Sequence, residues 1–176
     1  AGNHEFIMMS ILPKLMQEIS EDNIESTITE EFLHKYNLWI EDGGATTVNG
    51  FKKLLKEEQE FLLDYLDNMS VYEKIRVNNQ NYILVHSLPS DLQNKKNLNY
   101  QIEEVLFGRP DFTASWNQED IYIIGHTPTF KIPGAVPGKI YRRNNLIDID
   151  CGCVTGHALC AYCIDTGEAF YEPVLI

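Results

Sequence analysis

The sequence lacks an excess of basic residues, since 14 Lys and Arg stand against 26 Asp and Glu for a formal net charge of −12. A broad nucleic-acid or anionic-membrane surface needs clustered Lys and Arg, so we expect neither partner. The sequence also has no apolar run near the ~20 residues that span a bilayer. Its first residues do not form a basic segment followed by an apolar one, so we expect no signal peptide and a cytoplasmic location.

The chain also lacks an initiator Met, because it opens Ala1-Gly2-Asn3-His4-Glu5. We therefore expect it to be a piece of a longer protein. Its 176 residues fit one domain, and 44% hydrophobic residues can form a core.

All four cysteines fall in one stretch, at Cys151, Cys153, Cys160 and Cys163. Such clustering raises the hypothesis of a zinc-binding structural module. If the stretch is stranded, however, Cys151 and Cys153 share a face while Cys160 and Cys163 point to opposite faces. The four sulfurs would then converge poorly, which favours small buried residues in a sheet.

Apolar periodicity predicts helices in the first part of the chain. We expect one over residues 5–19, interrupted near Pro13, and a short one near residues 30–35. After a turn over residues 43–47, a stronger helix should present one apolar face, formed by Leu54, Phe61, Leu62, Tyr65, Leu66 and Met69.

The pattern changes to strands after Ser70. Residues 75–77 and 82–85 predict a hairpin, and the continuous apolar residues at 82–85 predict a strand buried on both faces. Residues 121–124 predict a second continuous apolar strand. A short helix is expected at 101–106, and further strands at 139–142, 146–149, 158–164 and 169–173. The chain is therefore expected to be α/β with a mixed sheet.

Two of these apolar strands run into histidines. Residues 82–85 lead directly to His86, and residues 121–124 lead through Gly125, which should allow a sharp turn, to His126. Ligand sites in α/β sheets lie outside the carboxyl ends of the strands. Neutral imidazoles are good ligands for manganese, iron or zinc, so the two rings are candidate metal ligands. A single strand-end His is more often a hydrogen-bonded structural residue.

Several short motifs, in this order along the chain, resemble those of the calcineurin-like metallophosphoesterases, phosphoprotein phosphatase branch. They are Gly2-Asn3-His4-Glu5, Gly43-Gly44 with Thr46, Val85-His86, Gly125-His126-Thr127-Pro128 and Asp148-Ile149-Asp150-Cys151-Gly152-Cys153. The resemblance implies a metallophosphoesterase sandwich with helices flanking mixed β-sheets. Residues 1–176 would be the C-terminal part of that single domain, without its first strands.

The resemblance also implies roles for particular residues. Asn3, His86 and His126 would bind one metal of a two-metal site, and His4 would protonate the leaving oxygen as general acid. Arg109, in Gly108-Arg109-Pro110, resembles an Arg that holds the phosphate, for which a bidentate guanidinium is suited. A surface Arg is the alternative interpretation of that residue.

The implied cofactors are two divalent ions, with manganese favoured and iron or zinc as alternatives. They would activate a bridging water, whose hydroxide attacks phosphorus without a covalent phosphoenzyme. The family's two earlier Asp motifs do not occur here, and the remaining ligands are neutral. The piece alone is therefore expected to be inactive, and its exposed sheet edge could promote self-association.

The expected function is hydrolysis of phosphate monoesters, with serine/threonine phosphoproteins favoured over small phosphoesters as substrates. Two alternatives stay open: a symmetrical dinucleoside tetraphosphate hydrolase, and a non-catalytic phosphatase-like binding module.

Overall fold

The computed structural model describes residues 1–90, 101–114 and 119–174. The chain divides into two compact units, a first over Asn3–Ser70 and a second that begins at Val71. The assignment of residues 1–176 to one domain stays a prediction. None of the helices in these ranges combines the length and the hydrophobicity of a membrane span.

The first unit is helical. Its helices are α1 (Asn3–Leu15), α2 (Ile24–Thr27), α3 (Glu30–Trp39), α4 (Ala45–Phe51) and α5 (Lys56–Asp67), with a π-helical turn over Ile40–Gly44 before α4. α1 ends two residues after Pro13, which cannot donate a helical N–H. Thr29 caps α3, since its side chain accepts the N–H of Phe32 at 3.1 Å.

The core of the first unit joins α1, α3, α4 and α5. Its buried side chains are Ile11, Leu12, Phe32, Trp39, Val48, Phe51 and Leu66. The predicted apolar face of α5 is wrong in part, because Phe61 and Tyr65 are 74% and 59% exposed. Only Leu62, Leu66 and Met69 of that face pack on the core. The apolar face predicted for α5 is therefore wider than the face that packs against the core.

The second unit contains seven strands and one α-helix in its described residues. They are β1 (Tyr72–Val77), β2 (Gln80–Val85), α6 (Ile102–Phe107), β3 (Ile121–Ile124), β4 (Tyr141–Arg143), β5 (Leu146–Asp148), β6 (Ala158–Tyr162) and β7 (Ala169–Pro173). Asn78 and Asn79, with φ of 50° and 66°, make the tight turn of the predicted β1–β2 hairpin.

Five of the strands form one mixed sheet in the order β1-β2-β3-β5-β4, and β6 pairs with β7 separately. β2, β3 and β5 are parallel, whereas β1 and β4 pair antiparallel at the edges. The predicted α/β class with a mixed sheet is therefore confirmed. Self-association through a sheet edge stays a prediction.

The parallel strands carry the core of the second unit. Ile83, Tyr122, Ile124 and Leu146 are buried in one apolar cluster with Leu88, Phe112 and Ile132. Because these strands are parallel neighbours, their carboxyl ends meet at one edge of the sheet. The residues that follow them along this edge form the candidate site.

Candidate metal centre

His86 and His126 lie side by side at the carboxyl ends of β2 and β3. The strands are in parallel register, with Leu84 opposite Ile123, and Gly125 N donates to His86 O at 3.1 Å. The Nε2 atom of His86 is 3.2 Å from the Nδ1 atom of His126, and the ring centroids are 4.9 Å apart. The structure therefore brings together the two imidazoles that the sequence singled out.

The sharp turn after β3 occurs at His126 itself, not at Gly125. His126 has a φ of 66°, in the left-handed region, whereas the φ of Gly125 is not positive. The expectation that Gly125 supplies the unusual backbone is therefore wrong. A non-glycine residue in this region costs about 1–2 kcal/mol, which the surrounding structure must offset. The strained conformation directs the His126 ring toward His86.

The spacing of the two ring nitrogens fits a shared metal ion. An imidazole nitrogen binds zinc at about 2.0–2.1 Å, so two such nitrogens lie about 2.8–3.4 Å apart when they meet the ion at about 90–110°. The observed 3.2 Å lies in that range. A hydrogen bond between the rings would give a similar distance. Across residues 1–90, 101–114 and 119–174, no three His, Cys, Asp or Glu side chains form a metal-sized group by themselves.

Asp148 ends the third parallel strand, β5, and Asp150 follows two residues later. Asp148 is fully buried, and its Oδ1 accepts the N–H of Asp150 at 2.8 Å. Its Oδ2 has no hydrogen-bond partner among the described residues. Burial is the main cause that raises the pKa of Asp148 to about 8, and the nearby Asp150 charge adds to it.

Asp150, which follows β5, is a carboxylate at the same edge of the sheet to which the sequence-based prediction gave no role. A Cβ placed on Gly125 would lie 3.9 Å from the Cβ of Asp150, so Asp150 borders the turn that leads to His126. Its Oδ1 accepts the N–H of Gly152 at 3.0 Å. The strand-end rule that singled out the two histidines could also have found Asp150, which lies two residues past β5.

Arg109 is held next to the segment that follows His86. The hydroxyl of Ser87 donates to Gly108 O, and Ser87 N donates to Val105 O at 3.0 Å. Arg109 lines an open cavity together with Pro89, Ser90, Glu104, Phe107 and Gly108. The backbone that carries the predicted phosphate-binding residue is thus joined to the strand end that carries a predicted metal ligand.

Asn3 and His4 begin α1 in the first unit. Asn3 is buried, whereas the His4 side chain is 44% exposed. His4 Nε2 lies 3.3 Å from Asp42 Oδ2. An ion pair or hydrogen bond at this distance orients the His4 ring, although solvent weakens the interaction.

The Gly43-Gly44 turn places Asp42 in this pair. Gly43 has a φ of 94°, and a Cβ on Gly44 would come within 2.5 Å of the Trp39 ring. The Thr46 hydroxyl donates to Gly43 O at 3.2 Å. The turn predicted over residues 43–47 is wrong in part, because the kink lies at Asp42 and Gly43 and Ala45 already begins α4.

The predicted site residues are divided between the two units. Asn3 and His4 belong to the first unit, and His86, Arg109 and His126 belong to the second. Their combination in one catalytic site stays a prediction.

The cysteines do not have the strand arrangement on which their sequence interpretation depended. Cys151 follows β5 and Cys153 begins a short 3-10 helix, while Cys160 lies in β6 and Cys163 follows it. All four thiols are free. Burial raises the pKa of Cys151 to about 12, and Cys160 Sγ donates to Ile149 O at 2.8 Å. These two thiols serve as packing and hydrogen-bonding groups.

No protein-family model matches the chain, and no curated protein matches it. Among solved structures, it is similar to one described as "Crystal structure of a putative diadenosine tetraphosphatase", with a TM-score of 0.54 and 14% identity. The similarity covers 98% of this chain, which spans 66% of the neighbour's length. At that identity, the likeness supports a shared fold and leaves the activity to be argued from the site.

Proposed function

We propose that the protein is a metal-dependent phosphoesterase that hydrolyses phosphate monoesters, with serine/threonine phosphoproteins as the favoured substrates. The observation that carries this proposal is the pair of imidazoles, His86 and His126, with ring nitrogens 3.2 Å apart at neighbouring strand ends. The order of the motifs along the chain and the fold of the solved neighbour support the same class of hydrolase.

In this proposal, His86 and His126 hold a divalent ion, and Asn3 is the further ligand that the family resemblance implies. Such an ion supplies a Lewis acid for the phosphoryl oxygens and lowers the pKa of water. Manganese is the favoured ion in the complete protein, which is proposed to hold two. Imidazole nitrogens also suit iron and zinc.

The remaining roles belong to side chains that would contact the substrate. Arg109 binds the phosphate oxygens through its planar guanidinium, which matches two oxygens at once. His4 gives a proton to the leaving oxygen. With Nε2 directed to Asp42, its Nδ1 is the ring nitrogen that would serve the substrate.

Hydrolysis of symmetrical dinucleoside tetraphosphates is the second candidate. The specific observation in its favour is the description of the solved neighbour as a diadenosine tetraphosphatase. A phosphomonoester and a dinucleoside polyphosphate present the same phosphoryl oxygens to metal and Arg, so the two activities share the proposed site. A non-catalytic binding module is the third candidate, and it predicts no turnover of either substrate.

The test is a substrate panel on the full-length gene product that contains this chain, loaded with Mn²⁺. The panel contains p-nitrophenyl phosphate, a phosphothreonine peptide and diadenosine tetraphosphate. We expect turnover of the first two, and a loss of at least about 100-fold in kcat for His126→Ala. His34→Ala, which removes an exposed imidazole from α3, is the matched control. Turnover of the tetraphosphate alone would support the second candidate, and no turnover at all would support the binding module.

A further inference from the structure

We propose that Ser87 is a positioning residue that fixes Arg109 for phosphate binding. The proposal rests on the function proposed above, because it assumes that Arg109 binds the phosphate. Ser87 directly follows His86, and it is fully buried.

The N–H and the hydroxyl of Ser87 bind the end of α6 and the residue that follows it. Its N–H donates to Val105 O at 3.0 Å, and its hydroxyl donates to Gly108 O. A buried hydroxyl without a partner is costly, so these two bonds specify how the segment after β2 packs against α6. Alanine at this position would keep the N–H bond and lose the one to Gly108.

The backbones pack so closely at this contact that position 108 requires glycine. A Cβ there would lie 2.3 Å from Glu104 O and 2.5 Å from Leu88 O, so no side chain fits between the two backbones. Its φ of −62° is open to any residue, which leaves the close approach as the reason for glycine. The backbone before Arg109 is therefore held between the segment after His86 and the end of α6.

These contacts connect the proposed metal ligand to the proposed phosphate-binding residue through a few covalent and hydrogen bonds. His86 is bonded to Ser87, Ser87 is hydrogen-bonded to Gly108, and Gly108 is bonded to Arg109. The phosphate-binding residue is thereby placed at a fixed distance from the strand end that would hold the metal. Small displacements of a positioned group lower its contribution to binding, so loss of the Ser87 hydroxyl should weaken phosphate binding through Arg109.

The test is a double-mutant cycle with inorganic phosphate as the probe, measured by calorimetry on the full-length protein with Mn²⁺. We expect Ser87→Ala and Arg109→Ala each to weaken phosphate binding about tenfold. The double variant should bind no more weakly than Arg109→Ala, within about twofold. Multiplicative effects of the two changes would overturn the proposal.

Two further variants separate positioning from general destabilisation. Ser87→Cys retains a weak donor and should recover part of the affinity. Thr155→Ala removes a hydroxyl of the second unit that also donates to a backbone carbonyl, that of Gly152, and should leave phosphate binding unchanged. If Ser87→Ala does not fold, the cycle is run with Ser87→Cys, and its additivity with Arg109→Ala decides the proposal.

The outcomes also distinguish this proposal from the proposed function. Phosphate binding that follows the non-additive pattern, without hydrolysis of any substrate, would refute the proposed enzyme and support the role of Ser87. Hydrolysis with additive effects of the two variants would refute the role of Ser87 and support the enzyme. Absence of phosphate binding by the wild-type protein would refute the role of Ser87.

Discussion

The Nε2 atom of His86 lies 3.2 Å from the Nδ1 atom of His126, across the ends of two parallel strands. The register of β2 and β3 and the hydrogen bond from Gly125 N to His86 O fix the backbones at this point. Two imidazoles so placed suit a divalent ion when they are neutral, although without an anionic ligand they would hold it weakly. The proposed phosphoesterase activity therefore depends on what the two rings bind.

The backbone at His126 yields a prediction about stability. Its left-handed conformation is unfavourable for residues with a Cβ and open to glycine. We expect His126→Gly to be more stable than His126→Ala by about 1 kcal/mol, although both lose the imidazole. Urea unfolding of the two variants measures the difference. Equal stability would show that the turn relaxes when the ring is removed.

The Asp42 side chain yields a prediction about turnover. Loss of its carboxylate should leave the His4 ring poorly oriented, so Asp42→Asn is expected to lower kcat about tenfold with KM unchanged. Glu41→Gln, which removes an exposed carboxylate one residue away, is the control. Both are measured on the full-length protein with p-nitrophenyl phosphate. Equal losses in the two variants would point to a general effect of charge.

The buried Asp148 yields a prediction about pH. Its pKa is about 8 in the folded protein against an ordinary value of 3.8, so between those values the folded state holds a proton that the unfolded state releases. Stability should therefore fall as pH rises from about 4 to 8, and be fully present only below that window. Asp148→Asn keeps an acceptor for Asp150 N and removes the titrating group.

We expect Asp148→Asn to resemble the wild type near pH 4 and to exceed it by on the order of a few kcal/mol near pH 8. Urea unfolding of chelator-treated protein at the two pH values is the measurement. A variant that is less stable than the wild type at pH 8 would indicate that the carboxylate is ionised and stabilising in the folded state.

The thiols yield a prediction about chemical reactivity. Burial raises the pKa of Cys151, whereas a hydrogen bond from the Thr166 side chain lowers the pKa of Cys163. Because the thiolate is the reactive form, iodoacetamide at pH 8 should modify Cys163 well before Cys151. Mass spectrometry of the peptides gives the order. Thr166→Val should slow the reaction at Cys163, and prior modification of Cys151 would contradict the assignment.

The sequence was most informative where burial and topology act together. Continuous apolar residues predicted the β3 strand over Ile121–Ile124, and the two strand-end histidines follow from the rule that parallel strands end together. The hairpin between β1 and β2 was also predictable, because consecutive asparagines tolerate a positive φ.

The sequence was least informative where tertiary contacts choose between local possibilities. Nothing local distinguishes the exposed Phe61 from the packed Leu62, because both lie within an apolar stripe and only the core decides which is covered. The left-handed conformation of His126 is imposed by the turn after β3, against its intrinsic preference. The Ser87 bond to Gly108 joins segments far apart in sequence, so no pattern predicts it.

The most direct test of the account is a crystal structure of the protein grown with Mn²⁺, with anomalous scattering used to locate the ion. We expect an anomalous peak about 2.1 Å from both His86 Nε2 and His126 Nδ1. The peak should disappear in crystals of the His86→Ala variant and persist in the His34→Ala variant. An ion bound elsewhere, with the two imidazoles hydrogen-bonded to each other, would contradict the metal centre and the phosphoesterase that depends on it.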